Sequence, residues 1–136
     1  MYPLKIAIFL IIPVGFLFPF SPLLSSDMDE VICQAMKGMV LQQSKKIPFN
    51  VKEYSVVGLS VDCENKTLTT EKKHTRLRKN EFESNFQKIH QKNWQKTNCS
   101  NMIFNKDTGW STEQLVKGKD GLLVSKVKAN FKHCSK

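Results

Sequence analysis

The sequence predicts an α+β domain of order α-β-β-α-β-β, with helices packed on one face of a four-stranded antiparallel sheet. Three observations lead there. An apolar stripe at helical spacing runs from Val31 to Val40. Two segments of period-two alternation each meet a short turn and a return strand. A second helical stripe lies between those hairpins. The chain has 136 residues, which allows one domain.

The first helix is expected over about 28–43. Asp27 is its N-cap, and Glu30 is the capping-box partner three residues on. Val31, Ile32, Ala35, Met39 and Val40 form the buried stripe, and Ser44–Lys46 with Pro48 end it. Met28, Met36 and Met39 are read as core rather than as a binding groove. In VKEYSVVGLSVDC, Val57, Leu59, Val61 and Cys63 alternate with small and polar residues, as a strand does. Glu64-Asn65-Lys66 is a turn, and Thr67–Thr75 is the return strand. Asn80 then caps a second helix, with Glu83 in the capping-box position and Phe82, Phe86, Ile89 and Trp94 as its stripe, ending near Thr97. After a short connection from Cys99 to Gly109, Trp110–Lys117 is a strand. Gly118-Lys119-Asp120-Gly121 is a turn, and Leu122–Phe131 returns. Leu123, Val127, Ala129 and Phe131 are expected on one face of that strand, with Lys126, Lys128 and Asn130 on the other.

Composition excludes several classes. The chain is 40% hydrophobic and 24% charged with 6 Gly and 5 Pro, unlike collagen, low-complexity disorder or a multi-span membrane protein. Residues 1–26 read as a secretory signal: Lys5 precedes an apolar run from Ile6 to Phe20, and no acid appears before Asp27. An uncleaved N-terminal anchor, giving membrane association through residues 1–26, is the rival. The run is shorter than the roughly 20 residues needed to span a bilayer, and Pro13 and Pro19 suit an export segment better. The remainder, 27–136, is one domain. Cys33, Cys63, Cys99 and Cys134 are an even set, which in an exported small domain means two disulfides. Three pairings are possible. Cys99 with Cys134 would close the C-terminal unit, and Cys33 with Cys63 would tie the first helix to the first strand. No close CxxC pair supports a metal site, and no cofactor motif is present.

The stretch IPFNVKEYSVVGLSVDCENKTLTT is similar to the first hairpin of a broad group of small exported bacterial proteins. Their pattern is close to LPxxVDxxTxLxSV, then a G/N-N-T-L strand, a polar helix, a Cys, a Gly, and a D-G or N-G hairpin closed by a terminal Cys. The matching positions are Ile47, Pro48, Val51, Val57, Asn65, Thr67, Leu68, Cys99, Gly109, Asp120, Gly121 and Cys134. The resemblance spans about residues 45–134. It departs at Lys52 and Glu53, where Asp is usual, and adds Cys63. The group has no assigned reaction. The resemblance implies an exported bacterial α+β domain and a Cys99–Cys134 bridge, with no catalytic residues to carry over.

The net charge is +9, and cations concentrate in 66–79 and 115–136. Lys72, Lys73, Arg76, Arg78, Lys126 and Lys128 are the candidate basic patch. It points to a protein or an acidic envelope component as partner. Nucleic acid binding wants aromatic rings interleaved with the cations, and Trp94 and Trp110 read better as core. A solvated Lys-rich surface is the plain alternative. His74, His90 and His133 could serve a cationic ribonuclease as general base and acid, but nothing in their spacing forces convergence. There is no GxSxG and no phosphate-binding Gly-rich loop, and oxidised cysteines cannot act as nucleophiles. Asn65-Lys66-Thr67 and Asn98-Cys99-Ser100 fit N-x-[ST]; a eukaryotic secretory host could glycosylate them, whereas the bacterial resemblance implies that they are coincidental. The functional expectation is a non-enzymatic envelope or secreted module, accessory or inhibitor-like, docking through basic hairpins. A small cationic hydrolase or toxin using His74 and His90 is the alternative.

Overall fold

A helix carries the chain from one hairpin to the next, and this crossover decides the topology. The computed structural model describes residues 25–100, 108–130 and Cys134. Helix α1 spans Ser25–Ser44, followed by strands β1 (Phe49–Val51), β2 (Tyr54–Asp62) and β3 (Thr67–His74). A 3-10 turn at Lys79–Glu81 leads to α2 (Phe86–Asn98), then β4 (Ser111–Lys117) and β5 (Leu123–Asn130). The sheet has five strands in the order β1-β2-β3-β4-β5.

Two features correct the expected four-stranded antiparallel sheet. First, Phe49–Val51 is a strand, joined to β2 by the two-residue turn Lys52-Glu53, with Lys52 at φ 56. Three residues are too few to alternate legibly. Second, β3 and β4 pair in parallel, from Thr67↔Ser111 to Lys73↔Lys117. A helical crossover returns the chain to the end where it started, and this geometry permits parallel pairing. The other neighbours are antiparallel. Both helices do lie on one face. Val61↔Leu68↔Thr112 and Leu59↔Thr70↔Gln114 are in register on the helix side. The opposite face presents Thr69, Glu71, Lys73, Glu113, Lys117, Lys126 and Lys128.

Under α1, Cys33, Met36 and Trp110 form a core cluster with Ile32, Met39, Val61, Cys63 and Leu68 packed around it. Of the three methionines expected in the core, Met36 and Met39 pack there, whereas Met28 is exposed. Under α2 lie Val116, Val127 and Ala129, each 1% exposed. Two disulfides pin the helices: Cys33–Cys63 ties α1 to the end of β2, and Cys99–Cys134 ties the end of α2 to the C-terminal segment.

Helix boundaries also differ. α1 begins at Ser25, so Asp27 lies within its first turn rather than at its cap. Asn80 caps no helix. Arg78 N–H donates to Glu81 Oε2 at 2.6 Å, and Phe82 is extended, which closes the 3-10 turn and delays α2 to Phe86. Phe82 is drawn away by the sheet, where its ring meets His74 and Phe86 edge-on. The segment 1–24, Phe131 and His133 lie outside the described residues. Among the described residues no helix is long and apolar enough to cross a membrane.

Candidate functional site

Three rows of α2 side chains, each with its members about one turn apart along the helix, matter for the site. Phe86, His90 and Trp94 face the sheet. Trp94 Nε1 donates to Thr112 O at 3.2 Å, and His90 lies between Gln114 and Ser125. Gln87, Gln91 and Gln95 form the second row, beside edge strand β5. Gln87 takes the Lys126 N–H on Oε1 at 3.2 Å and donates Nε2 to the Lys126 carbonyl at 2.9 Å. Gln91 repeats this on Lys128, at 3.3 and 2.9 Å. The two amides therefore complete the sheet edge as a sixth strand would. Gln95 Nε2 reaches the Cys99 and Cys134 sulfurs. Lys88, Lys92 and Lys96 are the third row, exposed, on a helix with no acid in its sequence.

Two basic concavities result. The seam between α2 and β5 is lined by Lys88, Gln91, Lys92, Gln95 and Lys128, and holds about 540 Å³. The second, about 690 Å³, lies at the tip of the β4–β5 hairpin among Arg78, Lys79, Asn80, Lys119, Asp120 and Leu122. There the hairpin is clamped to the 3-10 turn. Asp120 accepts from Lys79 N–H at 3.2 Å and from Leu122 N–H at 3.3 Å, while Lys119 N–H donates to Leu77 O at 2.6 Å. Gly118 allows the approach, since a Cβ there would stand 2.6 Å from Lys79 N. Asp120 is thus spent on backbone donors, and Arg78, Lys79 and Lys119 border the hollow.

The six cations of the expected patch divide among these surfaces. Lys72 is on the helix face, half-buried, with Nζ 4.9 Å from the Tyr54 ring centroid. Burial lowers its pKa. Lys73 is on the opposite face. Arg76 is exposed beyond the end of β3, and Arg78 belongs to the tip. Lys126 pairs with Glu113 at 3.6 Å, and Lys128 belongs to the seam. The open face is partly neutralised, with Lys117 on Glu71 at 2.7 Å.

His74 and His90, the histidines among the described residues, are engaged in the fold. His74, 4% exposed, accepts Arg76 and Leu77 N–H on Nδ1 at 3.0 and 2.9 Å. Its Nε2 lies 3.7 Å from Glu53. His90 places Nε2 2.8 Å from Gln114 Oε1 and Nδ1 2.7 Å from Ser125 Oγ. An Nε2–H tautomer satisfies both bonds, with Ser125 donating. Burial first, and the nearby Lys72 charge, lower its pKa, against the Gln114 bond. The rings of Phe82 and Phe86 stand between the two histidines. Among the described residues no group of three or more His, Cys, Asp or Glu is placed to hold a metal ion.

Solved structures share this fold. The pilotin EpsS of the Vibrio vulnificus type 2 secretion system superposes with a TM-score of 0.62 at 8% identity, over 82% of this chain and 98% of that one. A Pseudomonas aeruginosa protein assigned as secreted gives 0.60 at 14% identity, over 78% and 95%. At such identities the likeness is one of fold. No family model and no curated protein matches the sequence.

Sequence reasoning missed the glutamine row. Its trace is the spacing 87, 91, 95 on a helix that precedes an edge strand. Isolated glutamines on a helix read as solvated, and only the sheet order shows what they face.

Proposed function

We propose that the protein is an exported, non-enzymatic accessory module of the bacterial envelope that binds a protein partner through acidic groups on that partner. Its functional analogy is a secretion-system pilotin. The observation that carries this is a disulfide-stapled pilotin-like fold whose two concavities are both bordered by cations. The ribonuclease alternative is weakened by the histidines. A general base and a general acid must both reach one phosphate. Here each ring is tied to fold-internal partners, with two phenylalanines between them.

Two measurements test the reading. The oxidised domain, residues 25–136, should retain an envelope protein that elutes at high salt and is identifiable by mass spectrometry. The same domain should leave RNA intact, with or without His90→Ala. RNA cleavage that disappears in His90→Ala overturns the proposal in favour of the hydrolase.

A further inference from the structure

We infer that the α2–β5 seam is the docking surface, and that its occupant is an acidic segment of a protein rather than a lipid surface or a nucleic acid. This rests on the reading above and names the place and chemistry of the contact.

The row Lys88, Lys92 and Lys96 places three ammonium groups along one helix at steps of about 6 Å. Among the described residues none of the three has an ion pair or hydrogen bond, and α2 contributes no acid. Three other cations do have acidic partners: Lys66 with Asp29, Lys117 with Glu71 and Lys126 with Glu113. The seam therefore sets a row of cations without acidic partners along one helix beside a hollow. The glutamine clamp makes the row rigid. Gln87 and Gln91 are each doubly bonded to β5, so the lysine stems project from a helix that cannot roll. A pre-set row costs less ordering on binding than a mobile one.

Spacing and lining select the occupant. The seam is a shallow, open hollow lined by Lys88 and Lys92 of α2 and by Lys128 of β5. One chain segment lying along it meets cations from both elements. No aromatic ring lines it, so bases would find no stacking platform. A polypeptide with carboxylates one helical turn apart, or on alternate residues of an extended strand, matches the lysine spacing.

The test measures fluorescence anisotropy of the oxidised domain, residues 25–136, at about 0.15 M salt, where charges beyond roughly 8 Å are screened. The probe is a labelled helical peptide of about 14 residues with Glu at every fourth position. The seam variant is Lys88→Glu/Lys92→Glu/Lys96→Glu. The control, Lys37→Glu/Lys45→Glu/Lys46→Glu, removes equal charge from exposed sites on and just after α1. A neutral set, Lys88→Gln/Lys92→Gln/Lys96→Gln, covers the case in which charge reversal disturbs α2. We expect the seam variant to bind about tenfold more weakly, the neutral set to weaken in the same direction, and the control to stay within about twofold. Equal losses in the seam and control variants overturn the seam and leave the general reading standing. Undiminished binding by both seam variants does the same. No binding of the peptide by the wild-type domain, with binding to anionic phospholipid vesicles or to a single-stranded RNA of equal charge, overturns the seam's occupant and the protein-partner reading together.

Discussion

His90 illustrates how one side chain ties the helix layer to the sheet. Its ring bonds β4 through Gln114 and β5 through Ser125, so α2 is held over that antiparallel pair by a polar contact as well as by Phe86 and Trp94. Both bonds suit the neutral ring: one nitrogen donates and the other accepts. Protonation would turn the accepting nitrogen into a donor and place a charge in a partly desolvated site near Lys72. The folded-state pKa is lowered below the usual 6.5, chiefly by burial. The folded protein then binds fewer protons than the unfolded chain as pH falls through 6.5. Stability from this group is complete above that value and declines below it, down to the folded-state pKa. Urea unfolding from pH 7.5 to pH 5 should show the wild type losing more stability than His90→Gln. Parallel pH profiles for the two would mean that the ring contributes no such linkage.

At the scale of elements, the contrast between the two sheet edges governs what the protein can join. An edge strand offers unpaired N–H and C=O groups to any other strand. β5 is closed, because Gln87 and Gln91 occupy the bonding groups of Lys126 and Lys128. Replacing both by Ala should cost about 1–3 kcal/mol. The Lys126 and Lys128 amides should lose hydrogen-exchange protection, and sedimentation should reveal self-association. Gln42→Ala, on the exposed side of α1, should do none of this. Unchanged protection at Lys126 and Lys128 would show that the clamp is not formed in solution. The same contrast explains what was legible beforehand. The later strands could be read from Val57, Leu59 and Val61 and from the Asp120-Gly121 turn, since alternation and turn chemistry are local signals. The parallel β3–β4 pairing and the glutamine clamp could not, because each depends on where α2 returns the chain. Asn80 and Glu83 made a sound local capping signal, but Phe82 gained more by packing between His74 and Phe86. Lys72 and Lys73 are adjacent in sequence and were read as one patch, yet strand geometry sends them to opposite faces.

For the whole molecule, the disulfides decide how much of this holds together. Each helix is fastened by one bridge, α1 near its middle by Cys33–Cys63 and the end of α2 by Cys99–Cys134, across separations of 30 and 35 residues. Loops of that length contribute about 3–4 kcal/mol per bridge in the chain-entropy model. Domains of this size have a total stability of about 5–15 kcal/mol. Losing both bridges therefore removes most of the margin, and the two losses should differ in kind. α1 rests on Val61 and Cys63, on Leu68 of β3 and on Trp110, which is 0% exposed. Cys33→Ala/Cys63→Ala should lower the urea midpoint, and exchange protection should fall first in α1 while β4 and β5 stay protected. Cys99→Ala/Cys134→Ala should instead loosen the end of α2 and weaken any ligand held at the seam, because Gln95 contacts that pair of sulfurs. Intact mass of the native protein should be about two mass units lower per bridge than the reduced chain. Four free thiols in native material would leave the sheet order untouched. They would, however, remove the clearest physical reason for placing this domain in an oxidising compartment, where such bridges persist.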